Sequence, residues 1–235
     1  MRLILLSLLV LVVSKANTQD DYTDYHKTII QIEELTAQKQ YNKALAEFDK
    51  LVDTYSFVFL RDLKVASQLA VLTYQKDKAL DYIKKGIAKG WSPKAISKNK
   101  LLEPLLTGPK RESIKKNYSS NPEHLDIHYT LRLQVKEMFK RDQKKAMGAL
   151  FKVGNKSQEK YGTKKFAPHS EKQIAELDQI LDKNGYPGER LIANNVWTSA
   201  ILNHHNSISE SYVIRDTLFN YLQPKLLKAV KNGQM

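Results

Sequence analysis

Apolar residues return every three to four positions along almost the whole chain after Asp24, and no stretch alternates polar and apolar residues between hairpin turns. That period puts the apolar side chains on one stripe of a helix and predicts an all-α fold. Ile29, Ile32 and Leu35 mark a helix over residues 28–38, and Leu45, Phe48 and Leu51 mark one over 41–55. Leu60, Val65, Leu69 and Leu72 mark a third over 57–74, and Leu80, Ile83 and Ile87 a fourth over 76–89. Gly90-Trp91-Ser92-Pro93 ends this block, because Gly suits the position after a helix and Pro the first turn of the next.

The first four helices contain an echo. Lys43-Ala44-Leu45 returns as Lys78-Ala79-Leu80, 35 residues later, each time after a short polar break and at the start of a helix. A helix-turn-helix unit of about 34 residues is the spacing of tetratricopeptide repeats, in which a small residue lets neighbouring helices approach closely. Residues 24–90 resemble two such repeats, although most of the diagnostic Trp and Pro positions differ. Two units are fewer than usually stand alone, so the hairpins are expected to lean on the rest of the chain.

Residues 107–124 are rich in Gly, Pro, Ser and Asn, lack a period, and are read as a linker. The division that follows is a helical-hairpin domain over 17–106 and a bundle-like helical domain over 125–235. In the latter, helices are expected at 125–151, 171–183 and 189–204, with a fourth from Ser207 toward Leu222 that Pro224 interrupts or restarts. Ser170 with Gln173, and Ser207 with Glu210, have capping-box spacing.

One polar residue is out of place. Leu131, Val135, Met138, Asp142, Ala146 and Ala149 share a helix face, which sets a carboxylate in an apolar stripe. Burying a lone charge costs several kcal/mol, so Asp142 requires a partner, for which His204, His205, Arg190 or a lysine is available. His204 follows Trp197 and Ile201 on one helical face and is expected to be partly buried. Neighbouring helical residues diverge by about 100°, so His204 and His205 do not easily share a metal. The chain has no H-E-x-x-H pattern, Gly-rich phosphate loop or G-x-S-x-G elbow. Asp142, His204 and His205 are therefore the candidate catalytic residues, with Gln143, Arg141, Arg190 and Asn206 as candidate ligand contacts; no cofactor or metal is assigned.

The first sixteen residues have the layout of a secretory signal peptide, with a basic start, an apolar run from Leu3 to Val13, and small residues at Ser14 and Ala16. The expected location is periplasmic or secreted, with no membrane-spanning helix in the mature chain. The chain has no cysteine, which excludes a disulfide framework and a lipid attached through Cys. The formal net charge is +13, and residues 132–165 hold 11 basic and 3 acidic residues. Such a segment can contact an anionic surface, whereas nucleic acid is not an expected partner of an exported protein.

Met138-x-x-x-Asp142-Gln143, Gly185-Tyr186-Pro187 and the His204-His205 pair together resemble an uncharacterised helical family of bacterial secreted proteins, of the Bacteroidetes type. The resemblance covers residues 125–235. The family often carries Arg where this chain has Ala146, and usually continues beyond a Gly-Gln dipeptide where this chain has Gly233-Gln234-Met235. It implies that Asp142, Gln143, His204 and His205 converge, and it supplies no activity. The leading expectation is a non-enzymatic scaffold that binds a protein or peptide through its hairpins. The alternative is a hydrolase-type enzyme with an Asp/His site, metal-assisted or not, in the C-terminal domain.

Overall fold

The structure, a computed structural model, describes residues 21–118, 127–212 and 215–235, without the side chains of 110, 111, 117 and 208–221. The expected signal peptide, residues 1–16, lies outside them. Four helices open the chain: α1 (Tyr22–Ala37), α2 (Tyr41–Thr54), α3 (Leu60–Leu72) and α4 (Lys76–Ala88). Short segments follow, α5 (Pro93–Ser97), a 3-10 turn (Glu103–Leu105) and α6 (Pro109–Asn117). The rest comprises α7 (Tyr129–Leu150), α8 (Asn155–Tyr161), α9 (Ala167–Asn184), α10 (Glu189–Ile192), α11 (Trp197–Tyr212) and α12 (Arg215–Lys231). The fold is all-α, with packed helix pairs and no strand among the described residues.

The 35-residue echo extends to the backbone. The α1–α2 turn has Lys39 at φ 59°, and the α3–α4 turn has Tyr74 at φ 60°. Gln40 N–H donates to Leu35 O at 2.8 Å, and Gln75 N–H to Ala70 O at 2.7 Å. Both turns close a helix through a left-handed residue that is not Gly, a conformation non-Gly residues rarely adopt. Ala44 and Ala79 are completely buried, so the small residue of each echo sits where two helices touch. Asp49 on α2 takes the Tyr82 hydroxyl and Lys78 Nζ (2.5 Å) from α4, tying the two hairpins together.

Two hydrophobic cores result. The first holds Tyr22, Tyr25, Phe48, Leu63, Ile83 and Trp91, and the second Val135, Met138, Ile174, Leu177, Ile192 and Ile201. The expected linker is partly structured: α6 forms inside it, and Ile114, its buried apolar residue, joins the first core. Residues 119–126 of that linker lie outside the described ones.

The lobes are sutured by polar contacts. Glu189 Oε1 accepts the N–H of Leu60, the first residue of α3, at 2.7 Å, so one lobe caps a helix of the other with a carboxylate. Arg190 lies over the rings of Tyr22 and Phe57 and donates to Asn232 O at 3.0 Å. Within the C-terminal lobe, Gln234 Oε1 accepts the Tyr186 N–H at 3.1 Å. The hairpins thus lean on the C-terminal half, as their small number requires.

Both expected capping boxes are absent. A π-helical turn, Gly162–Phe166, carries α8 directly into α9, so Ser170 lies inside α9 rather than at its start. Ser207 lies inside α11 and returns its hydroxyl to Asn203 O at 2.9 Å, while the Glu210 side chain is outside the described set. The expected 189–204 helix is two helices, broken by Ala193 in the left-handed region at φ 49°. Pro224 does not interrupt α12.

Candidate functional site

Asp142 is fully buried on α7, one turn beyond Met138. Its Oδ2 meets His204 Nδ1 of α11 at 2.5 Å and accepts Gln143 Nε2 at 3.3 Å. His204 is one-third exposed, its ring edge-on to Phe166 with centroids 6.0 Å apart. The next two positions on this face, Ala146 and Ala149, are half-buried.

Burial pushes the Asp142 carboxyl up from its usual range, while the hydrogen bond and charge of His204 pull it back. When Asp142 is ionised, Nδ1–H of His204 donates to it. Among the described residues Asp142 Oδ1 has no hydrogen-bond partner, and neither have two buried atoms of α9, His169 Nε2 and Gln173 Oε1. Gln173 spends its Nε2 on Met138 O at 2.6 Å. Unsatisfied buried groups are few in native proteins, and His169, which lies close enough to Gln173 and Asp142 to feel both, places two of these atoms near the carboxylate.

His205 does not join this cluster. It points the other way into α9, where Nδ1 meets Ser170 Oγ at 2.9 Å, and it is in mid-helix rather than at a helix end. Arg141 pairs with Glu176 on the surface at 2.7 Å, Arg190 belongs to the lobe interface, and Asn206 is exposed. Of the candidates, the structure brings together Asp142, Gln143 and His204. Sequence reasoning passed over His169 and Gln173, although the i, i+4 spacing to the capping-box Gln was visible. Among the described residues no group of three His, Asp or Glu side chains could hold a metal ion.

Burial also lowers the His205 pKa from 6.5. Below about 6.5 the unfolded chain then binds the proton that the folded one refuses, so stability due to this group is present above 6.5 and is lost as the pH falls through the depressed folded value. His205→Asn is expected to be less stable than the parent at pH 7.5, and the gap in Tm to narrow by pH 5.5. A gap independent of pH would contradict the buried neutral imidazole.

A second feature lies between the lobes. A cavity of about 510 Å³ is lined by Phe57, Lys89, Ile127, Glu189, Arg190 and Leu191, among others. Small-ligand sites typically measure about 300–1,000 Å³. Lys89 Nζ stands 3.5 Å above the Phe57 ring centroid and, among the described residues, is in no ion pair or hydrogen bond. Burial pulls its pKa down, and nearby Arg190 adds to that against the pull of Glu189. Glu189 already caps α3, and burial raises its own pKa. The cavity therefore presents positive charge on apolar walls. Neither Lys89 nor Phe57 stood out in the sequence, because each is ordinary beside its neighbours and meets Arg190 only through the fold.

Comparison with protein families, curated proteins and solved structures finds no match to this chain.

Proposed function

We propose that the protein is a non-catalytic binding scaffold that holds a peptide or protein partner in the cleft between its lobes through a carboxylate of that partner. The observation that carries this reading is Lys89, a half-buried ammonium over an aromatic face that, among the described residues, is in no ion pair, the nearby Glu189 being spent on the N-terminus of α3. A charge removed from water asks for a partner, and a carboxylate is the complement that leaves the cleft near neutral. Phe57, Ile127 and Leu191 then offer apolar contact to the residue that carries the carboxylate.

Short peptides ending in Leu are the probe, each as free acid and as C-terminal amide. A charge-assisted hydrogen bond contributes about 1.5–3 kcal/mol, so calorimetry is expected to give the acid at least about tenfold tighter binding. Lys89→Met is expected to erase that difference. Equal binding of acid and amide, or a Lys89→Met protein that still discriminates, would reject the reading.

The Asp142–His204 pair favours a second reading, general acid–base chemistry of the hydrolase type. It is supported by a buried acid that orients an imidazole and keeps one oxygen unpaired.

A further inference from the structure

We propose that the end of α7 is a membrane-docking apex, which inserts apolar side chains into an anionic lipid bilayer. Leu150 is 73% exposed, Phe151 75% and Val153 93%, and Met147 one turn earlier is exposed as well. These four fall within seven residues, where α7 stops and the chain turns into α8. Scattered apolar residues on a surface need no explanation, whereas a contiguous group marks a contact.

The projection is braced. The hydroxyl of Tyr161 on α8 sits where a side chain at Gly148 would have to go, so α8 is pressed against α7. Gln158 Nε2 donates to Lys152 O at 3.0 Å, and Gly154 turns the chain at φ 82°. The exposed side chains are therefore presented by a built loop.

Charge identifies the occupant. Lys144, Lys145, Lys152, Lys156, Lys160, Lys164 and Lys165 flank the apex in the sequence, and the one exposed acid over 144–165 is Glu159. Among the described residues none of these seven lysines is in an ion pair, in contrast to Lys140 and Arg141 just before them. All seven are Lys, a hydrated point charge suited to a diffuse negative potential rather than to forked recognition of one anion. A charged polysaccharide would meet the lysines but has no place for Leu, Phe and Val. A bilayer of anionic lipid meets both, with hydrocarbon for the apex and headgroups for the ring. This inference is independent of the cleft and of Asp142, since none of those residues lies on the apex.

The test uses vesicles of phosphatidylcholine alone and of phosphatidylcholine with phosphatidylglycerol, and a Phe151→Trp protein. Co-sedimentation is expected only with the anionic vesicles and should weaken steeply between low and high salt. The new Trp is expected to shift to the blue on binding and to be quenched by brominated lipid, which reports insertion. A Leu150→Ser/Phe151→Ser/Val153→Ser protein, whose changes are confined to exposed positions, is expected to keep its circular dichroism and to lose at least about tenfold in partition. Equal binding to neutral vesicles, binding by the triple variant as strong as the parent, or adsorption without a blue shift would overturn the proposal. So would a parent protein that ignores vesicles and instead self-associates through the apex in sedimentation experiments.

Discussion

Asp142→Ala is expected to lower stability by about 3 kcal/mol, and Asp142→Asn by less than about 1 kcal/mol. The alanine removes the acceptor of His204 Nδ1 and of Gln143 Nε2 and leaves a gap at a completely buried position. Asn keeps the shape and an acceptor oxygen for the imidazole, and it sheds the cost of burying a charge, which is the main cause of the raised Asp142 pKa. Urea unfolding of the three proteins gives the ranking directly, and an Asn variant as damaged as the Ala one would show that the charge itself holds the lobe together. The same pair of variants decides between scaffold and chemistry. A positioned general base contributes about 10²–10⁴-fold. If the second reading holds, hydrolysis across a panel of activated esters falls at least about a hundredfold in Asn as well as in Ala, because both lose the carboxylate. If parent and Asn share one background rate, Asp142 is a structural acid and the cleft carries the function.

What the residues disclosed in advance was what depends on local period. The stripe through Leu131, Val135, Met138 and Asp142 is buried to its last member, and the acid in it meets an imidazole from 62 positions away. Ala44 and Ala79, the small residues of the echo, are both completely buried. Misreadings arose where one local signal serves two structures. Ser170 with Gln173 looks like a cap, but the π-helical turn continues the helix through it, and both side chains are spent on tertiary contacts. α6 is so polar that its single apolar anchor, Ile114, gives no period to detect. The cleft was beyond reach for another reason. Lys89 and Arg190 are about a hundred positions apart, and a free cation becomes a signal only when its surroundings are known.

Gly233→Ala is expected to cost about 3 kcal/mol and to loosen the lobes from each other. Gly233 closes α12 at φ 63°, where an L side chain adds roughly 1–2 kcal/mol of strain. A Cβ there would also lie 2.5 Å from the ring of Tyr22. That ring cannot step aside. It is buried between Tyr25 and Tyr55, with centroids 5.3 and 5.0 Å away, and its hydroxyl donates to Phe57 O at 3.0 Å while accepting the Phe57 N–H at 3.1 Å. The added methyl must therefore push α12 off α1, at roughly 1–3 kcal/mol for overpacking. Gly90→Ala separates the two costs, because Gly90 has φ 91° but open space where the Cβ would stand. It is expected to lose only the strain, roughly 1–2 kcal/mol. Trp91 lies in the first core and Trp197 packs on the second, so single-Trp variants follow each lobe separately. Their denaturation midpoints are expected to coincide in the parent and in Gly90→Ala and to part in Gly233→Ala. Coincident midpoints in Gly233→Ala would mean that the suture through Glu189 and Arg190 couples the lobes without help from this contact.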